Sequence, residues 1–294
     1  MFEGTWTALV TPFRKNQVDV EALRTLVARQ IQAGIHGLVA CGTTGEAAAM
    51  SPEERLLVVQ HVAEEAKGKV PVVAGTGTNN TRLSVDMTRK VAEMKVDGVL
   101  VVTPYYVKPP QRGLLEHYRQ IAQVGLPIVA YNVPGRTGVS MTPETVGDLA
   151  KMDKVVALKE ASGDLSLAGF MLLAAGEDLA ILSGDDFTYL PLLAIGGRGC
   201  ISVVSNVAPR ETAQLFNCWK AGQVKQAQKI HAQLLPLIKA LFVESNPIPV
   251  KAALALMGLC SWEIRTPLVS LSEELRPKLE KILSDFGVGE KYRD

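Results

Sequence analysis

The amino-acid order predicts an α/β protein, a (β/α)8 TIM barrel with a C-terminal helical region. Three observations carry that expectation. Short apolar, β-branched runs alternate with segments of helical period. The alternation repeats about eight times over about 220 residues, the signature of this barrel. The strand candidates are also nearly all apolar, which marks strands buried on both faces of a parallel sheet.

The expected strands are 7–10, 37–41, 70–74, 98–103, 127–131, 155–159, 179–183 and 199–204. After the first, Asp19 is placed to cap a helix whose apolar stripe is Leu23, Leu26, Val27 and Ile31, with Gly34 closing it. Ser51-Pro52-Glu53-Glu54 sets out a cap, a proline for the first turn and the Glu of a capping box. Thr142-Pro143-Glu144 repeats the cap and proline. From about Gln223 the pattern changes: 223–242, 249–257 and 272–283 read as helices, with no further strand. This divides the chain into a barrel over 1–222 and a helical region over 223–294 that packs on it. A doubly wound open sheet is the structural alternative. It usually has fewer strands and a glycine-rich dinucleotide turn, and no such turn follows the first strand.

The 294 residues suit one large barrel with an appendage, or two ordinary domains. An apolar share of 47% is enough for a sizeable core. The net charge of +1, without a long like-charge run, gives no pull toward nucleic acid or an anionic membrane. Cys41, Cys200, Cys218 and Cys260 are scattered and lack metal-knuckle or redox spacing, as expected of reduced thiols in the cytoplasm. Residues 1–13 lack a basic stretch followed by an apolar run, and no apolar stretch approaches the roughly 18 residues of a membrane span. A soluble cytoplasmic protein is expected.

Barrels of this class carry their chemistry at the C-terminal ends of the strands. Those ends read Gly42-Thr43-Thr44-Gly45-Glu46, Thr103-Pro104-Tyr105-Tyr106, Ala130-Tyr131-Asn132-Val133-Pro134-Gly135-Arg136, Ala157-Leu158-Lys159-Glu160-Ala161-Ser162 and Ser183-Gly184-Asp185-Asp186. Hydroxyls, an amine and a guanidinium collect there.

Lys159 closes an apolar strand. Burial disfavours an ammonium group, and a neutral amine attacks a ketone to give an iminium, an electron sink for carbanion chemistry. The plain alternative is a strand-end lysine that reaches solvent or pairs with Glu160. Tyr131 ends the preceding strand, as a proton shuttle or as a core phenol with a satisfied hydroxyl. Thr43 and Thr44, between two glycines, form either an ordinary strand–helix turn or a cradle of N–H and hydroxyl donors for a carboxylate. Arg136 follows a Pro-Gly turn, either solvated or reaching back to grip a second carboxylate.

His36, His61, His117 and His231 show no ligand spacing, and Asp185-Asp186 reads as a turn or helix cap. No metal is assigned. The phosphate-binding glycines of a pyridoxal enzyme are not evident, and no cofactor is expected.

Together these segments resemble the dihydrodipicolinate synthase family of the N-acetylneuraminate lyase superfamily, over nearly the whole chain. Gly42 to Glu46 resembles the keto-acid carboxylate motif, and Lys159 to Asp164 the Schiff-base segment. Tyr131 to Thr137 is the discriminating stretch, because Arg136 matches the family's residue for the second substrate's carboxylate. Residues 197–206 and Asn246-Pro247-Ile248-Pro249-Val250-Lys251 are also similar to this branch.

The resemblance implies that pyruvate forms a Schiff base on Lys159, and that its enamine adds to L-aspartate 4-semialdehyde to give 4-hydroxy-tetrahydrodipicolinate, on the way to diaminopimelate and lysine. Tyr131 is then the proton donor and acceptor, and Thr43 links it to Tyr106. In the family that second tyrosine comes from a neighbouring subunit, so a tight dimer within a homotetramer is implied. Thr44 and Ile201 would hold pyruvate, with Gly184 lining the pocket through its backbone. Members inhibited by lysine bind it with polar and acidic groups. Asn79 and Tyr105 match that pattern, whereas Ala47, Pro52, Arg55 and Leu83 depart from it, which implies weak or absent inhibition. Sister aldolases acting on sugar acids or hydroxy-oxo acids would share Lys159, Tyr131 and the Gly/Thr turn, and Arg136 argues for the synthase. A non-catalytic keto-acid sensor would show an eroded catalytic set.

Overall fold

The computed structural model describes residues 2–288. Eight of its strands form a closed barrel: β1 Gly4–Ala8, β2 Gly37–Ala40, β3 Val72–Gly75, β4 Gly98–Val102, β5 Ile128–Asn132, β6 Val155–Glu160, β7 Ala180–Ser183 and β8 Gly199–Ser202. Each strand neighbours the next in sequence, and β8 neighbours β1. Helices follow them: α1 Val20–Gln32, α2 Pro52–Ala66, α3 Thr81–Ala92, α4 Gln111–Ala122, α5 Pro143–Ala150, α6 Leu165–Ala175, α7 Tyr189–Ala194 and α8 Pro209–Lys220. Beyond them lie α9 Val224–Leu241, α10 Ile248–Leu256 and α11 Arg276–Phe286. Phe13–Arg14 and Gln17–Val18 pair as a small antiparallel hairpin. The expected (β/α)8 barrel is therefore the observed one.

The chain forms two compact units. In one, residues 2–4 join Pro71–Ile201. Within it the parallel registers run from Val73↔Gly98 through Val102↔Tyr131, Tyr131↔Lys159 and Lys159↔Leu182 to Gly199↔Leu182. Thr142 caps α5 by accepting from Thr145 N, as its place before proline predicts.

In the other unit, Thr5–Val70 joins residues 202–288, so the first helices and the C-terminal helices fall together. Asp19 caps α1 by accepting from Ala22 N at 3.1 Å. Ser51 and Glu54 complete the expected capping box on α2. The stripe of α1 differs at one position: Gln30 is buried and Ile31 only half-buried. Gln30 is accepted in the core because its amide is satisfied, Nε2 donating to Ser205 O and Oε1 accepting from Thr7 Oγ1. The same bond explains why β1 begins earlier than expected. Thr5 and Thr7 look polar for a buried strand, but Thr5 Oγ1 donates to Thr212 O at 2.8 Å and Thr7 Oγ1 to Gln30 at 2.7 Å.

Among the described residues, no helix is long and apolar enough to cross a membrane.

Candidate active site

Lys159 is the fifth of the six residues of β6, and β6 is buried along almost its whole length. The side chain is only 5% exposed. Its register partner on β5 is Tyr131, also 5% exposed. Lys159 Nζ stands 4.3 Å from the centroid of the Tyr131 ring. The next residue, Glu160, faces the other side of the strand, because side chains alternate along β structure. Its carboxylate accepts from Asn132 Nδ2 at 2.7 Å and from Ser162 N at 2.6 Å. Asn132 Oδ1 in turn accepts from Met141 N at 2.9 Å. The alternative of a Lys159–Glu160 pair is therefore not what forms. Among the described residues Lys159 makes no ion pair with a carboxylate, leaving a buried amine beside a phenol.

Gly184, just past β7, explains the room this amine has. A Cβ at Gly184 would lie 2.8 Å from Lys159 Cε and 2.7 Å from the Ala161 methyl carbon. Only a residue without a side chain leaves the lysine its path. Gly184 N donates to Glu160 O, holding the glycine against the strand. Ile201 on β8 is buried. Beside it, burial pushes the Cys200 thiol well above its ordinary range, so it stays neutral. Asp185 accepts from Phe187 N at 3.0 Å, a capping contact that fits the turn reading. Burial pushes its carboxyl up. No group of three or more His, Cys, Asp or Glu suited to a metal ion occurs among the described residues.

Arg136 and Tyr106 of the same unit are placed differently. Arg136 sits exposed on a single helical turn, Pro134–Thr137, that follows β5. Tyr106 is 85% exposed, with Tyr105 and Val107 exposed beside it. It adopts a left-handed φ of 73°, which non-glycine residues seldom hold, and its N–H donates to Thr137 O. Within one chain, therefore, Tyr106 does not join Lys159 and Tyr131; its phenol is turned to solvent.

In the other unit, the Gly42–Glu46 turn is held tightly. Gly45 N donates to Gly42 O, Glu46 N to Thr43 O, and Gly45 O accepts from Thr11 Oγ1 at 2.7 Å. A Cβ at Gly45 would meet Leu9 O at 3.1 Å, so the second glycine of the motif is fixed by close packing. Thr43 is half-buried. Thr44 is buried, and its Oγ1 accepts from Asn246 Nδ2 at 3.0 Å.

Glu46 has a structural role that sequence reading did not assign. Its carboxylate pairs with buried Lys251 at 2.6 Å and accepts from Arg265 N at 3.0 Å. Lys251 Nζ lies 4.4 Å from the Phe13 ring centroid, and Arg265 Cζ 4.1 Å from it. Arg265 then grips Glu54 with its two terminal nitrogens, at 2.6 and 2.7 Å. Burial pulls the Lys251 amine down from its ordinary range, and Glu46 opposes that. Removing one partner of such a buried pair costs about 3–5 kcal/mol, since the other charge is left uncompensated. The sequence flagged the segment from Asn246 to Lys251 without giving either residue a task.

One unit thus holds a buried amine against a phenol with a glycine that clears its path, and the other a Thr-rich turn tied down by the C-terminal segment. The model of the dihydrodipicolinate synthetase family matches residues 1–286. The chain belongs to the dihydrodipicolinate synthetase family. A relative from Thermodesulfovibrio yellowstonii, named 4-hydroxy-tetrahydrodipicolinate synthase, is 45% identical over 98% of this chain and 99% of its own. The crystal structure of dihydrodipicolinate synthase from Thermotoga maritima superposes with a TM-score of 0.96 at 43% identity, covering 98% of this chain and 99% of that one. The chloride-inhibited dihydrodipicolinate synthase of Acinetobacter baumannii, solved in complex with pyruvate, gives a TM-score of 0.96 at 40% identity, covering 98% of this chain and 100% of that one. As a member of the dihydrodipicolinate synthetase family, the chain carries the family's barrel over nearly its full length.

Proposed function

We propose that this chain condenses pyruvate with L-aspartate 4-semialdehyde to give 4-hydroxy-tetrahydrodipicolinate, a step toward diaminopimelate and lysine. The observation that carries this reading is the buried Lys159 amine, without a carboxylate partner, 4.3 Å from the Tyr131 ring.

The neutral amine attacks the C2 carbonyl of pyruvate. The carbinolamine loses water to give an iminium, and loss of a methyl proton then gives the enamine. The enamine carbon adds to the aldehyde of the second substrate, whose oxygen takes up a proton. Cyclisation onto the substrate's own amino group releases Lys159. Every stage moves protons at or near this amine, and in this reading Tyr131 gives and takes them, which its ring 4.3 Å from Lys159 Nζ supports.

Thr43 and Tyr106 complete the proposed catalytic set. Thr44, Ile201 and Gly184 hold pyruvate, and Arg136 receives the carboxylate of the semialdehyde. An exposed, strained tyrosine beside Tyr105 and Val107 reads as a group offered to a second copy of the chain. The proposal is a tight dimer, paired into a homotetramer, in the cytoplasm and without a cofactor. A catalytic barrel over 1–222 with a helical appendage over 223–294 belongs to the same reading.

The test is a panel of aldehydes assayed with pyruvate. The expected outcome is a strong preference for L-aspartate 4-semialdehyde over sugar aldehydes and glyoxylate. A higher kcat/KM for a sugar aldehyde would assign the protein to a sister aldolase instead.

A further inference from the structure

The C-terminal segment reaches the Gly42–Glu46 turn at two side chains. Asn246 Nδ2 donates to Thr44 Oγ1 at 3.0 Å, and Lys251 Nζ pairs with Glu46 at 2.6 Å. Thr44 is 2% exposed and Asn246 6%, so water does not compete freely for either group. We propose that Asn246 sets the direction of the Thr44 hydroxyl and is thereby a positioning residue for the keto-acid carboxylate. The inference rests on the reading above, in which Thr44 holds pyruvate.

Proton count sets the direction of this bond. A threonine hydroxyl has a single proton and can donate once, while its oxygen can also accept. A side-chain amide nitrogen only donates. Asn246 Nδ2 therefore occupies the accepting side of Thr44 Oγ1 and leaves the hydroxyl's own proton to be donated elsewhere. A carboxylate accepts hydrogen bonds and cannot give one, so a hydroxyl that is bound to donate is the partner it needs. An accepting group at position 246 would draw the Thr44 proton toward itself and turn the oxygen lone pairs outward. The ion pair two residues further on, with Arg265 N on the second oxygen of Glu46, stops the turn from swinging away from Asn246. The C-terminal residues thus polarise the turn as well as support it.

The test is steady-state kinetics in pyruvate on the full-length protein, for Asn246→Ala, Asn246→Asp, Thr44→Val and the double variant Asn246→Ala/Thr44→Val, each checked for native circular dichroism. Asn246→Ala is expected to raise the pyruvate KM about tenfold, with kcat within about twofold. Asn246→Asp, which keeps the size of the side chain, is expected to raise it further, because it presents an acceptor. Thr44→Val should raise KM as well, and the double variant should be no worse in pyruvate KM than Thr44→Val, since the proposed effect of Asn246 on the carboxylate passes through that hydroxyl. Effects that multiply in the double variant, or an Asn246→Asp enzyme with wild-type KM, would overturn the proposal while leaving Thr44 its role. A Thr44→Val enzyme with unchanged pyruvate KM would overturn the role of Thr44, and the proposal with it.

Discussion

Lys159 and Tyr131 are register partners on adjacent parallel strands, and the lysine Nζ stands 4.3 Å from the centre of the tyrosine ring. Pairing through the sheet fixes their separation more firmly than two loops would. The phenol adds a hydroxyl to a ring that already packs the site. Tyr131→Phe keeps the ring and removes only the hydroxyl, the proposed proton carrier. It is expected to lower kcat by about 10²- to 10⁴-fold, with a far smaller change in the pyruvate KM. Initial-rate measurements decide this, and a phenylalanine variant retaining a tenth of wild-type kcat contradicts the role given to Tyr131.

Gly184 tests the same geometry from the other side. Adding one methyl group there places a carbon 2.8 Å from Lys159 Cε, and the lysine or the backbone must move. Small displacements of a reacting group cost up to about a hundredfold in rate. Gly184→Ala is expected to slow pyruvate adduct formation at least about tenfold in single-turnover trapping. Adduct formation at the wild-type rate would mean that the lysine's path does not depend on this glycine.

A third expectation concerns stability and pH. His117 on α4 is buried, with Nδ1 at 2.9 Å from Thr81 Oγ1, and burial holds its pKa at about 4 against a usual 6.5. Below pH 6.5 the unfolded chain takes up a proton that the folded chain refuses. Stability from this group is therefore full above pH 6.5 and falls by up to about 1.4 kcal/mol per pH unit down to about pH 4, where the loss levels off. Urea unfolding at pH 7.5 and pH 5 should show this loss in wild type and a smaller one in His117→Asn. Equal losses in the two proteins would refute it.

Much of the fold is legible in the sequence because its signals are local. The all-apolar strands, the Ser51-Pro52 and Thr142-Pro143 caps and the strand-end positions of Lys159 and Tyr131 need only a few neighbouring residues. The start of β1 is not legible, because Thr5 and Thr7 become core residues only through partners far along the chain. Asn246 and Thr44 lie 202 positions apart, and Lys251 and Glu46 lie 205 apart, so no periodicity links them. Glu160 beside Lys159 looked like a possible partner in the sequence. Strand alternation sends it to Asn132 and Ser162 instead. Tyr106 is legible as a strand-end tyrosine, but its outward direction follows from a left-handed backbone that no short motif announces.

The departures at Ala47, Pro52, Arg55 and Leu83 lead to a regulatory expectation. A hydrogen bond to a charged group contributes about 1.5–3 kcal/mol, and Leu83 offers no carboxylate to a lysine ammonium. Leu83 is an exposed residue of α3, and Arg55 adds a like charge. L-lysine at 1 mM, roughly the level at which a contact set of this strength would act, is expected to leave the initial rate nearly unchanged. Half-inhibition below that concentration would show that other residues bind it.

The most direct measurement is intact mass after borohydride reduction in the presence of pyruvate. Wild type is expected to gain one reduced pyruvate adduct per chain, mapped by peptide digestion to Lys159, and Lys159→Ala is expected to gain none at any site. No mass gain on wild type, or an equal gain on Lys159→Ala, would contradict the Schiff base on Lys159.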